Sequence, residues 1–98
     1  MSLPVIVRPA AEADITATYR ELELIRVGLG ERFISCVRAV FEHIEATPQL
    51  YGRVWQDVRA ARLRTFRHVV YYVVLADRVE ILAVLHGSRD APVWQSRV

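Results

Sequence analysis

The sequence predicts an α+β domain, a helical hairpin packed on one face of a small, mainly antiparallel sheet, with the elements in the order β-α-α-β-β-β. Three observations predict it. Apolar residues recur at helical spacing in two consecutive segments before Pro48. The Gly-Leu-Gly at 28–30 separates those segments. Beyond Asp57 the pattern changes to two-residue alternation and then to a continuous β-branched and aromatic run. The 98 residues suffice for one hydrophobic core and not for two, so residues 1–98 are read as a single domain.

Residues 4–8, Pro-Val-Ile-Val-Arg, form a short first strand, and Pro4 suits either the beginning of a strand or a sheet edge, so the strand is placed at or near an edge. Pro9 suits the first position of a helix, and Glu12 and Asp14 suit the positive end of its dipole. Ile15, Tyr19, Leu22 and Ile25 give that helix one apolar stripe, from about Pro9 to Arg26. After the glycines, Phe33, Val37, Val40, Phe41 and Ile44 form the stripe of a second helix, which Pro48 stops near Thr47. The segment 48–57 is expected to be a loop, with Tyr51 and Trp55 free to pack back onto the fold.

Three strands are expected after it. Ala61, Leu63 and Thr65 alternate with Arg62 and Arg64, as in a strand with one buried and one wet face. The run His-Val-Val-Tyr-Tyr-Val-Val-Leu is apolar on both faces, as a central strand covered on both sides must be. A turn at 76–78 leads to the last strand, Val-Glu-Ile-Leu-Ala-Val-Leu-His, which Gly87 ends. The tail from Ser88 is read as a loop or frayed turn, in which Trp94 stands exposed between Arg89 and Arg97.

Composition narrows the function. Apolar residues make up 53% and charged ones 24%, so the chain is globular rather than disordered. No stretch is long and apolar enough for a membrane span, the first residues lack the pattern of a signal peptide, and the single cysteine, Cys36, forms no internal disulfide. These features suit a cytoplasmic protein with no membrane partner, and Cys36 reads as an inert thiol where a helix packs. All thirteen basic residues are arginine, which excludes any chemistry that needs a lysine. Five of them, Arg53, Arg59, Arg62, Arg64 and Arg67, lie within fifteen residues against one acid, Asp57. That segment carries a positive field which the net charge of +2 conceals. One cysteine, three scattered histidines and the lack of a glycine-rich phosphate loop give no expected cofactor or metal set.

The order of elements resembles the RelE/ParE toxin superfamily along nearly all of the chain. The segment carrying most of the resemblance is Arg-Thr-Phe-Arg-His-Val-Val-Tyr-Tyr at 64–72, continuing through the last strand to His-Gly-Ser-Arg-Asp at 86–90, with Trp94 beyond. It is similar to the ParE, or plasmid-stabilisation, branch. That resemblance implies the toxin of a type II toxin–antitoxin pair, one that inhibits DNA gyrase or topoisomerase IV. It also implies neutralisation by a ParD-like antitoxin, through which alone the toxin reaches operator DNA. RelE toxins share the backbone but cleave mRNA on the ribosome, so residues must choose between the two.

Cleavage by a 2′-hydroxyl needs a base, an acid and cations around the phosphorane. Arg64 and Arg89 match two of the cations that the RelE resemblance implies, and His86 could titrate near neutrality. No lysine completes the set, and Trp94 stands near the place of a tail tyrosine, where an indole transfers no proton. The catalytic set Arg64, His86 and Arg89 is therefore the alternative reading. The first is a non-catalytic toxin that contacts its target through His86, Arg89 and Trp94 and its antitoxin through Arg62 and Arg64, since guanidinium pairs bidentately with carboxylates. A degenerate partner that binds antitoxin without toxicity is a third. His43 reads as a helix boundary residue, and His68 as the start of the central strand.

Overall fold

The computed structural model describes residues 2–87 and 91–98. Strand β1 (Val5–Val7) leads into helix α1 (Pro9–Ile25), which turns back through Gly28 into helix α2 (Leu29–Ala46). Strands β2 (Arg53–Trp55), β3 (Val58–Arg62), β4 (His68–Val74) and β5 (Val79–His86) follow, and the short helix α3 (Ala91–Gln95) closes the chain. The sheet order is β1-β5-β4-β3-β2. Only the β1–β5 pair is parallel, and β1 lies at the edge that Pro4 predicts.

The hairpin forms where the sequence places it. Pro9 occupies the first turn of α1, and the glycine break separates the helices. Gly28 takes a φ of 91°, and the Glu23 carboxylate accepts hydrogen bonds from the amides of Gly28 and Gly30 at 3.0 and 2.7 Å. An α1 side chain thus satisfies donors that the start of α2 would leave open. Gly30 allows the helices to close on each other: a Cβ there would stand 2.8 Å from the Tyr19 carbonyl oxygen and ring.

Helix α2 buries Phe33, Val37, Val40 and Ile44, the predicted stripe, with Phe41 half-buried. Helix α1 buries only Ala11 completely, and Ile15 and Leu22 pack partly. Ile25, expected in its stripe, is 73% exposed, as are Leu24 and Val27 at 89%, because the end of the hairpin carries no sheet beneath it.

Two departures from the expected order are findings. The segment read as a loop contains β2, which pairs with β3 across a tight turn. Gln56 makes that turn at a φ of 49°, where a glycine or asparagine would have signalled it. The tail read as a loop contains α3, whose Pro92 fits a first helical turn. Five residues are too few for periodicity to appear.

Both faces of the sheet are apolar. Val70, Tyr72, Val79, Ile81 and Val84 meet the helices, whereas Val69, Tyr71, Val73, Leu82 and Ala83 face the other way, towards α3. Tyr71 pairs with Ala83 and Tyr72 with Ile81, so Leu82 is an extra residue in β5 and the inward positions change phase there. Beyond β1, the exposed edge of β5 is met by side chains. Asp14 accepts from the Val84 amide at 3.1 Å, and Arg97 donates to the Leu82 carbonyl at 3.1 Å and to Asp14 at 2.6 Å.

Substituting Gly30→Ala sets a helix-propensity gain of roughly 1 kcal/mol against overpacking of about 1–3 kcal/mol on a backbone oxygen that has nowhere to move. The expected outcome is a net loss of stability of about 1 kcal/mol. Chemical denaturation of the two proteins side by side measures it, and an unchanged or raised midpoint would contradict the close helix approach.

Candidate functional site

The arginine-rich segment surrounds two concave surfaces that meet at the end of β3. The larger, about 510 Å³, lies on the sheet face opposite the hairpin. Its floor and walls are Tyr51, Val54, Ala60, Val69, Tyr71 and Trp94, and Arg62 is on its rim. The smaller, about 330 Å³, lies between α2 and β3, lined by Cys36, Val40, His43 and Tyr51 with both Arg62 and Arg64. Alternation along β3 explains the position of Arg62: Ala61 and Leu63 point into the hairpin core, so Arg62 points away from it.

Arg64 is not on a strand. The β3 ladder ends at Arg62, the Leu63 amide donates to the His68 carbonyl at 3.0 Å, and residues 64–67 form the connection between β3 and β4. Phe66 folds back onto Phe33 and His68, which leaves Arg64 and Thr65 exposed rather than alternating in and out. Among the described residues Arg59 is tied down, donating to the Tyr51 carbonyl at 2.7 Å. The side chains of Arg53, Arg62, Arg64 and Arg67, all exposed residues, make neither hydrogen bond nor ion pair there. The positive field read from the sequence is therefore not neutralised within the described part of the fold.

Trp94 overturns the expectation of an exposed side chain. It is 5% exposed, stacked on Tyr71 at 4.4 Å and 14° and edge-on to Trp55 at 6.0 Å. The central strand's second apolar face is what draws it in. It forms the wall of the larger groove and presents little of itself to a partner. His86 is exposed at the end of β5, on the hairpin side, with its ring 5.4 Å from that of His68. His86 and Trp94 thus lie on opposite faces of the sheet and do not make one patch. Arg89 lies outside the described residues. Arg64 and His86 line no common groove among those described, whereas Arg62 and Arg64 share one.

Residue-type reasoning missed the groove itself. Tyr51, Val54, Ala60 and Val69 carry no motif, and the available signal was indirect: a strand apolar on both faces needs a second cover, and a short cover leaves part of that face open. Cys36 is half-buried, 3.6 Å from the Thr65 hydroxyl, rather than sealed in the core. His43 is exposed on α2. His68, given no role by the sequence, packs edge-on against Phe33 at 5.1 Å. Burial pushes its pKa below 6.5, the neighbouring His86 adds to the fall, and Glu21 on α1 opposes it. No group of three or more His, Cys, Asp or Glu side chains placed to hold a metal occurs among the described residues. No described helix is long and apolar enough to cross a membrane.

Comparison with known proteins bears on both family and fold. The family model for the ParE toxin of the type II toxin-antitoxin system, parDE, matches residues 5–91. A solved chain described as the chromosomal ParDE TA system from P. aeruginosa superposes with a TM-score of 0.68 at 18% identity, covering 89% of this chain and 98% of that one. At that identity the likeness is one of fold. No curated protein matches the sequence.

The lowered pKa of His68 has a definite sign. The unfolded chain takes up the proton near pH 6.5 while the folded chain resists it, so this contribution is complete above pH 6.5 and is lost as pH falls through the unfolded value. The melting temperature is expected to fall between pH 7.5 and 5.5, and His68→Phe should flatten that dependence. An equally steep profile in the variant, followed by circular dichroism, would remove His68 as its source.

Proposed function

The chain belongs to the ParE toxin family of type II toxin–antitoxin systems, and from that premise we propose that it acts by gripping other macromolecules rather than by cutting them. In the proposal a ParD-like antitoxin holds the toxin inactive in the cytoplasm, and the released toxin blocks DNA gyrase or topoisomerase IV. The observation that carries this reading is the pair of grooves rimmed by unneutralised guanidinium groups. Their walls are apolar and aromatic, and Arg62 is shared between them. Such a surface suits apolar side chains flanked by carboxylates, because arginine pairs bidentately with carboxylate and its desolvated contacts hold specificity.

Arg62 and Arg64 are accordingly assigned to the antitoxin, and operator DNA is reached only through it. The target is assigned to the end of β5 and the segment that follows, with His86 and Arg89 as contacts. Trp94, buried against Tyr71, acts as a prop of the sheet face and not as a hot spot on the surface. The cleaving alternative asks Arg64, His86 and Arg89 to converge on one phosphate, and among the described residues the first two line no common groove.

Two experiments test the reading. Purified toxin should inhibit gyrase or topoisomerase IV in supercoiling or decatenation assays and leave ribosome-bound mRNA intact. Cut transcripts with both topoisomerases unaffected would overturn it. Reversing both charges, Arg62→Glu with Arg64→Glu, removes at least one charge-assisted contact worth about 1.5–3 kcal/mol. Antitoxin affinity should therefore fall by roughly 10- to 100-fold in calorimetry, and co-expressed antitoxin should rescue growth less well.

A further inference from the structure

His68 and His86 are direct partners across the antiparallel β4–β5 ladder. Their side chains project from the hairpin side of the sheet, with ring centres 5.4 Å apart and planes at 82°. Neither imidazole makes a hydrogen bond among the described residues, and Nδ1 of His68 is buried without a partner. Packing against Phe33 and Phe66 holds the His68 ring in place, while His86 is exposed and free to adjust. Two polar rings brought together in this way, with their nitrogens unused, are a constellation that the core does not require, and the toxin reading uses His86 alone and gives the pair no role.

We propose that His68 and His86 form a two-imidazole site for a borderline transition-metal ion such as Zn²⁺, clamping the start of β4 to the end of β5. Zinc binds imidazole nitrogen at about 2.0–2.1 Å with tetrahedral angles, which puts the centres of two bound rings roughly 5 Å apart. The observed ring separation of 5.4 Å is close to that value, and rotation of the exposed His86 side chain supplies the alignment of the nitrogens. With Nδ1 of His68 closed off, Nε2 is its ligating atom, and His86 swings either nitrogen into place. Two positions of the tetrahedron remain for water or for a partner's side chain. Neutral imidazole selects Zn²⁺, Ni²⁺ or Cu²⁺ over Mg²⁺ and Ca²⁺, which prefer oxygen. The clamp fixes the strand end next to Gly87, whose amide donates to the Arg67 carbonyl at 2.8 Å, and so braces the arginine-bearing connection.

The test uses the full chain at pH 7.5 with ZnCl₂ as the probe and MgCl₂ as the control. One equivalent of Zn²⁺ should bind in calorimetry, saturating Zn²⁺ should raise the melting temperature by about 4 °C or more, and Mg²⁺ should do neither. His86→Ala, at an exposed position that folding does not need, should weaken Zn²⁺ binding at least tenfold, whereas Cys36→Ser and His43→Ala should leave it unchanged. His68 is read in the intact protein, because its replacement disturbs the aromatic cluster: Zn²⁺ must shift the imidazole nitrogen resonances of both histidines. Absence of binding, binding that survives His86→Ala or is lost in Cys36→Ser, or a shift confined to His86 would each overturn the site.

Discussion

A strand pair that is apolar on both faces must be covered twice, and this chain has one helical hairpin to do it with. The hairpin covers Val70, Tyr72 and Val84, and the opposite face, carrying Val69, Tyr71 and Leu82, is left to the last eight residues. Those residues supply one large side chain, Trp94, laid flat on Tyr71. Its indole N–H is buried without an acceptor among the described residues, an omission that costs about 1–3 kcal/mol. Removing a buried tryptophan costs about 3–5 kcal/mol, so burial prevails and the tail stays down. Arg97 then fixes where it lies, through Asp14 and the free edge of β5. The tail, the first helix and the last strand are thereby held as one unit.

That unit determines what the surface offers. Five residues of helix cannot cover a whole sheet face, and the uncovered remainder is the larger groove, floored by the same tyrosine and tryptophan that stabilise the tail. Alternation in β3 directs Arg62 outwards onto its rim, and the β3–β4 connection exposes Arg64, beside the smaller groove, and Arg67. Each such cation is inexpensive in water. Their concentration, with Asp57 the one acid in the segment, draws acidic partners over distances near the Debye length of about 8 Å.

Elements long enough to show a period were legible in the sequence. The α2 stripe, the two-faced β4, the last strand β5, the glycine break and the place of β1 at or near an edge are where pattern and glycine or proline chemistry put them. The parts that escaped are short or irregular. β2 has three residues and a turn made by Gln56 without glycine, and α3 has five. Arg64 looked like a strand residue because the alternation of Ala61 and Leu63 continues on paper through Thr65, whereas the ladder closes at Leu63 and Phe66 turns inward. Trp94 looked exposed because its neighbours are polar. The continuous apolar run of β4 already demanded a partner for its second face, and that demand outweighed the local polarity.

The same competition bears on how one backbone serves both binding and cleaving toxins. Cleavage requires charged and titratable groups aimed at one point, each held against its own desolvation. In this chain the concave face is occupied by the Tyr71–Trp94 stack, and its nearest cation, Arg62, sits on the rim in contact with water. A phosphate entering that groove would leave solvent for aromatic walls with, among the described residues, a single peripheral guanidinium to compensate, an exchange that buried charge does not tolerate. An apolar side chain entering the same groove gains roughly 1.5–3 kcal/mol from burial, and an adjacent carboxylate gains Arg62 without leaving water. The groove therefore favours a peptide over a phosphodiester, and the toxin's proposed work by adhesion follows from the cover that its central strand required.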